Sequence, residues 1–296
     1  MKYELFFKSA DDGFNLEAFQ NYFDGLDHYN VEGSQAFYSN EDTGVYFVFS
    51  YLHEDGKGSD NVRSEGIYRI SLNLDYCVPA FFANEALYEV EALMNGAAMT
   101  MYDPQPDGVG LKGYDPEIMF ESWIHQNEEA MKQWAIESAL NGDNDEPIVA
   151  PYEWLHRVWL WNYTKVRMQQ KLGDDIYVPA IKFLTDGEMV KVGVIWPDGK
   201  SIAIPKVDLV IVARSNNKNN DVEYCVVPYE DIKRFVDKYT SHTDGDSYIL
   251  SYEAVPTDIA RFVADVKYNS SFQIIGIDEI LEEEVVEEAL FPNDAV

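Results

Sequence analysis

The chain is short of positive charge and of the residues that most often hold metals or form cross-links. Of its 296 residues, 22 are lysine or arginine, 5 are histidine and 2 are cysteine. Binding nucleic acid needs lysine and arginine to displace the counterions condensed on phosphates. With 53 acidic residues and a formal net charge of −31, the chain is expected to have no nucleic-acid partner. Cys77 and Cys225 sit in apolar contexts, LNLDYCVPAFF and VEYCVVPY. They read as buried, inert thiols in a reducing cytosol, which suits two cysteines better than a disulfide framework does. No run approaches the roughly 20 consecutive apolar residues of a membrane span. The N-terminal MKYELFFKSADDGF turns acidic at once and has no small-residue cleavage site. Neither a membrane association nor a signal peptide is expected, and the expected location is cytoplasmic.

Motifs that announce chemistry are also missing. There is no G-x-x-x-x-G-K-[ST]; the nearest piece is DGKGSD at 55–60, which lacks the upstream loop. GVGLKG at 108–113 has dinucleotide-loop spacing, but it follows the proline-rich DPQPD and leads into a long helix. The tight strand-to-helix turn and the second strand with its acidic end are absent. There is no G-x-S-x-G and no C-x-x-C. No two of His28, His53, His125, His156 and His242 stand three or four apart. NGDNDEPIVAPYE carries Asn141, Asp143 and Asp145 in calcium-loop spacing, but Glu146 replaces the turn glycine and Tyr152 the bidentate glutamate. No metal site, cofactor or catalytic residue is therefore assigned. His125, with Glu121 and Glu129 four residues to either side, could act as an acid/base partner, its charged form favoured by the carboxylates; the plainer reading is a partly exposed helix histidine in an ion-pair ladder.

What the chain has in abundance is acid, unevenly spread. Residues 1–150 hold 7 basic and 28 acidic side chains, residues 151–277 hold 15 and 17, and residues 278–296 hold 8 acidic and none basic. Such a field attracts basic proteins and speeds their association; the plainer alternative is that it only keeps the chain soluble or reflects a salt-adapted proteome. Hydrophobic residues are 46% of the chain and aromatics 14%, enough for two well-filled domains.

Periodicity places the elements. YELFFK reads as a strand, and NLEAFQNYFDG as a helix capped by Asn15 and stopped at Gly25. A hairpin turns at Thr43-Gly44, GIYRISLNLDY is a half-buried strand, ANEALYEVEALMNG a helix and AAMTMYD a strand. Residues 116–140 read as a long helix with Met119, Trp123, Asn127, Met131, Trp134 and Ser138 along one face and Phe120, Ile124 and Ala135 beside them; a second runs from Tyr152 to Leu172. Strands then dominate, with turns at Asp186-Gly187 and Pro197-Asp198-Gly199 and a central strand in VDLVIVAR. SHTDGDS reads as a turn. The expected class is α+β: an N-terminal antiparallel sheet with two helices, loosely ferredoxin-like; two long central helices; and a C-terminal mixed, β-rich α+β domain. The expected domains are a strongly acidic 1–112, a joining helical hairpin 113–172, and 173–296 ending in an acidic helix.

Two stretches are candidate sites. EWLHRVWLWNY (153–163) crowds three of the six tryptophans into eight residues. Trp154, Val158, Trp161, Met168 and Leu172 follow one helical face, beside Leu155, Trp159 and Val166, so the stretch reads as a core helix at a domain joint. Asn127 and Asn162 are the expected partners of buried indole N–H groups. A pocket at that joint would be rimmed by Trp123, His125, Trp154, His156, Arg157, Asp103 and Gln105. In the tail, Ile280, Leu281, Val285, Ala289 and Leu290 make an apolar stripe. Either this helix docks on a basic surface of its own body or it presents acid to a partner; in the second case Glu282, Glu283, Glu284, Glu287 and Glu288 are the candidate partner-binding acids, although Glu287 and Glu288 oppose the helix dipole.

AFYSNEDTGVYFVF, ISLNLDYCVPAFFANEA, DPQ at 103–105, WNYTKVRMQQKLGDDIYVPAIKF and VIWPDGKSIAIPKVDLVIVAR together resemble an uncharacterised family of bacterial proteins of similar length, over about residues 1–240. The resemblance implies a bacterial, cytosolic, full-length chain and assigns no activity. The expected function is that of a non-enzymatic acidic interaction protein, of the immunity or inhibitor kind, binding a basic bacterial toxin or nuclease. The alternative is a small-molecule-binding protein or enzyme with a cleft between its domains.

Overall fold

The computed structural model describes residues 2–9, 14–52, 68–141, 147–187, 189–216, 221–267 and 272–291. In chain order the elements are β1 (Lys2–Ser9), α1 (Leu16–Phe23), β2 (Tyr29–Glu32), β3 (Gln35–Ser39), β4 (Tyr46–Tyr51), β5 (Ile70–Asp75), α2 (Phe81–Gly96), β6 (Met99–Tyr102), α3 (Pro116–Asn141), β7 (Val149–Ala150) and α4 (Tyr152–Leu172). There follow β8 (Ile181–Thr185), β9 (Val190–Pro197), β10 (Ile202–Ile204), β11 (Leu209–Asn216), β12 (Asp221–Pro228), α5 (Tyr229–Tyr239), β13 (Thr240–Asp244) and β14 (Ser247–Leu250). The chain continues through α6 (Thr257–Asp265), β15 (Gln273–Ile275), a 3-10 turn (Ile277–Glu279), β16 (Leu281–Glu282) and α7 (Glu283–Leu290). The class is α+β. The DGKGSD stretch and the acidic part of NGDNDE lie outside the described residues.

Two compact units result. Unit 1 is Met1–Tyr152 together with Ile277–Val296, and unit 2 is Glu153–Gly276. This division differs from the expected cuts at 112 and 172. The α3 helix goes with unit 1, the rest of α4 beyond Tyr152 goes with unit 2, and the acidic terminal helix goes with unit 1. The reason for the last is the tail's apolar stripe: Leu281, Val285 and Val286 pack with Met131 and Ala135 of α3, flanked by Cys77, Val149, Ala289 and Leu290. In sequence, unit 2 is an insertion into unit 1.

Unit 1 is built on one antiparallel sheet in the order β2-β3-β4-β5-β1-β6. The four-residue β2 is an edge strand that periodicity did not reveal. Its burial alternates only between half-buried and exposed, so YNVE lacks the strong apolar alternation of a buried strand. One sheet face gathers aromatic rings under α1: Phe23 lies 5.1 Å from Phe49 and 4.9 Å from Tyr29, and Phe7 lies 6.0 Å from Phe49. Asn15 caps α1 as expected, its side chain accepting from Ala18 N at 2.9 Å. The tail closes the unit. Its β16 pairs in parallel with β7, Leu281 opposite Val149 and Glu282 opposite Ala150.

Unit 2 holds a mixed five-stranded sheet, β12-β11-β9-β8-β15, and a three-stranded antiparallel sheet, β10-β14-β13. The VDLVIVAR stretch is an inner strand, β11, antiparallel to β12 and parallel to β9. SHTDGDS is not only a turn: most of it pairs as the polar edge strand β13 and the start of β14, because an edge strand needs no apolar alternation. Helix α5 contributes buried Ile232, Phe235 and Val236, and α6 contributes Ile259 and Val263; Phe235 meets Trp196 at 6.4 Å and Phe262 at 5.2 Å.

The approach of tail to sheet in unit 1 depends on one glycine. Gly44 has φ +77°, and a Cβ there would stand 2.7 Å from Ile277 Cγ2. Gly33, in the β2–β3 turn, has φ +61° with open space around it. Gly33→Ala therefore carries only backbone strain, about 1–2 kcal/mol. Gly44→Ala adds a clash with the tail and is expected to cost about 1–3 kcal/mol more. Urea denaturation of the two variants beside the parent chain measures the difference; equal losses would remove the role assigned to the Gly44–Ile277 contact.

Candidate functional site

The compact units sharpen the charge distribution. Unit 1 carries 7 basic and 36 acidic residues, net −29, while unit 2 carries 15 and 17, net −2. The acidic tail folds onto the acidic unit. Of the five tail glutamates, Glu282 is 8% exposed and turned inward, its carboxylate accepting from Ala80 N at 3.0 Å. Ala80 is the N-cap of α2, so the carboxylate meets the positive end of that helix. Glu284 accepts from the backbone N–H of Tyr152 at 3.1 Å. Glu288 pairs with Lys132 of α3 at 3.1 Å, which supplies the cation that the end of α7 lacks in its own sequence. Glu283 is half-buried, and Glu284, Glu287 and Glu288 are exposed. Together with exposed Glu117, Glu121, Glu129 and Glu137 of α3, they give α3 and α7 strongly acidic outer surfaces. Glu282 is the exception among the candidates, because it is occupied inside the unit.

The candidate rim residues divide between the units. In unit 1, Asp103 is 1% exposed and organises its own loop: it accepts from Gln105 N at 3.0 Å, Val109 N at 3.2 Å and the Tyr3 hydroxyl at 3.3 Å. DPQPDGVG is thus wrapped around a buried carboxylate, and Gly108 lies so close that a Cβ there would meet Asp103 Oδ2 at 2.2 Å. Trp123 is fully buried, 6.2 Å from the ring of Tyr76. Its indole N–H has no hydrogen-bond partner among the described residues. His125 is exposed and lies 3.3 Å from Asp107, so its carboxylate neighbour comes from the DPQPDG loop and not from Glu121 or Glu129.

In unit 2, the buried side of α4 is Leu155, Val158, Trp159 and Asn162. Trp154 is 37% exposed at its margin, and His156 lies against Trp159, ring to ring at 5.5 Å. Arg157 is half-buried. Trp161 packs with Met168 and Leu172 on Ile176, Val178, Ala203 and Ile249. The asparagines do not serve the indoles. Asn127 binds the backbone of Cys77 and Val78, and Asn162 binds both N–H and C=O of Ile181. The Trp161 N–H instead donates to Pro179 O at 2.8 Å. Backbone carbonyls and amides, invisible to a motif search, outcompeted the side-chain pairing.

Sequence reading also missed a polar network in unit 1. Glu85 and Glu89 face inward from α2 at i and i+4. Glu85 is 1% exposed and accepts from the Tyr38 hydroxyl at 2.8 Å and Asn40 Nδ2 at 3.1 Å. Glu89 accepts from the Tyr29 hydroxyl at 3.0 Å. In a chain this acidic, two glutamates inside ANEALYEVEALMNG give no signal of burial. Among the described residues no group of three or more His, Cys, Asp or Glu is placed to hold a metal ion.

A concave site lies on unit 2. It is an open pocket of about 350 Å³ lined by Trp154, Met189, Val190, Lys191, Asp208, Leu209, Val226, Val227, Pro228 and Phe272. Of the candidate rim residues, only Trp154 lines it. Its floor continues into a buried apolar patch of the sheet, where Ile195, Val226 and Phe272 pack on Leu184, Leu209 and Ile211. The size and largely apolar lining are those of a small-molecule site.

Burial raises the carboxyl pKa of Glu282, Asp103 and Glu89 above the ordinary range, against hydrogen bonds that pull each one down. At Glu282 the neighbouring Glu128 and Glu284 add to the rise. The folded state therefore holds these protons more tightly than the unfolded chain, and this contribution to stability is lost as pH rises through the raised pKa. Thermal stability is expected to increase as pH is lowered from neutral toward the ordinary carboxylate range. Glu282→Gln keeps an oxygen acceptor for Ala80 N without the charge, so its melting temperature is expected to depend less on pH across that window. An unchanged slope in the variant would remove Glu282 from the explanation. Comparison of the chain with protein-family models, curated proteins and solved structures returns no match, so the reading of these sites rests on their own geometry.

Proposed function

We propose that unit 1 is an acidic docking module for a basic protein, of the kind an immunity or inhibitor protein uses against a basic toxin or nuclease. The observation that carries this reading is the segregation of charge: −29 on one compact unit against −2 on the other. Solubility alone does not call for such asymmetry, since charge anywhere on the surface serves it. A one-signed surface instead accelerates encounter with an oppositely charged partner and disfavours acidic competitors. The exposed glutamates of α3 and α7 supply that surface on regular elements. A second reading, that the chain binds a small molecule, is favoured by the pocket on unit 2.

The docking reading is tested by recovering partners on the full chain at low salt and measuring their association kinetics. The recovered partner is expected to be basic, with an association rate that falls roughly tenfold or more between low and high salt. Replacing Glu117, Glu121, Glu129 and Glu287 together by Gln is expected to slow association at low salt and leave dissociation nearly unchanged. A partner that is neutral or acidic, or a rate indifferent to salt, would sink the reading.

A further inference from the structure

We infer that the pocket on unit 2 binds a free α-amino acid with an apolar side chain, its carboxylate on Lys191 and its ammonium on Asp208. The inference rests on the small-molecule reading and names its ligand. Among the described lining residues two are charged, one of each sign. Lys191 lies on β9; its Nζ stands 5.3 Å over the ring of Phe272 and makes no ion pair with any described carboxylate. Lys191 is half-buried beside this aromatic face and the apolar walls, and an anionic group in the pocket would pair with its ammonium.

Asp208 immediately precedes β11, which runs parallel beside β9 with Leu209 opposite Gly193. Its main chain is fixed at both ends: its N–H donates to Val192 O at 2.9 Å, and its C=O accepts from Tyr229 N at 2.8 Å. One carboxylate oxygen is occupied by Val192 N at 3.0 Å. A carboxylate oxygen has more than one acceptor site, so the group can still take an ammonium. The acid is thus held at a set position on rigid elements, the arrangement a specific binding site needs.

The pair of charges selects the ligand. A simple organic anion would satisfy Lys191 and be repelled by Asp208; a simple amine would do the reverse. A zwitterion satisfies both without leaving a desolvated charge unpaired. Its side chain then has Trp154, Leu209, Val226 and Phe272 to lie against, which favours leucine- or phenylalanine-like groups over polar ones. Side chains of this size are accommodated by about 350 Å³.

Isothermal titration of the full chain with L-phenylalanine and L-leucine tests the inference, with 3-phenylpropionate and phenethylamine as analogues that each lack one charge. At least one amino acid is expected to bind, and each analogue at least tenfold more weakly than L-phenylalanine or not at all. Lys191→Met is expected to erase the preference over phenethylamine, and Asp208→Asn the preference over 3-phenylpropionate. Unchanged melting curves certify that both variants are folded. If an analogue binds as well as the amino acids, the ligand class is wrong while the pocket remains a binding site. If none of the four compounds binds, the small-molecule reading falls with it. Amino-acid binding unaltered in both variants would place the ligand elsewhere and overturn the assignment.

Discussion

The contact between the tail and α3 is the interaction on which unit 1 depends. Leu281, Val285 and Val286 are buried against Met131 and Ala135, and each large aliphatic side chain so buried stabilises by about 1.5–3 kcal/mol. The opposing force is repulsion between an acidic helix and an acidic body. Exposed charge pairs contribute only about 0–1 kcal/mol each, and salt screens them further. The apolar term wins, and the acid is left on the outside. That outcome explains how a tail with no basic residue docks on a unit of its own sign. Lys132 and the α2 N-terminus relieve the worst of the crowding, at Glu288 and Glu282 respectively.

The same contact defines the boundary of unit 2. The strand that leads out of unit 1, β7, and the strand that returns to it, β16, lie side by side, and Glu284 holds the backbone of Tyr152, the last residue before unit 2 begins. Each unit consequently has its own sheets, its own core and its own candidate surface. The acid belongs to one and the pocket to the other, so the two functional readings concern different parts of the molecule.

Most of the fold was legible because apolar periodicity is strong where elements are long. The two long helices, the first helix with its Asn15 cap and the inner strand VDLVIVAR follow from spacing and caps alone. What escaped has a common cause in weak or misleading local signals. β2 and β13 are edge strands whose polar residues face water, so nothing alternates strongly. Glu85 and Glu89 carry no local sign of burial, because composition cannot tell an inward glutamate from an outward one. The attachment of the tail to the first half of the chain is a contact across more than a hundred residues, which only matching apolar stripes hint at. Trp154 was expected at a pocket between the domains and instead lines one within unit 2, whereas Lys191 and Asp208 had no motif to mark them. Their association comes from a parallel strand pairing that sequence spacing does not disclose.

The insertion of unit 2 also orders events in time. Ile277–Leu290 follow Glu153–Gly276 in the chain, so the last piece of the unit 1 core leaves the ribosome only after all of unit 2. At about 5–20 residues per second, the wait is on the order of ten seconds. Throughout that interval Met131 and Ala135 lack the apolar cover of Leu281, Val285 and Val286.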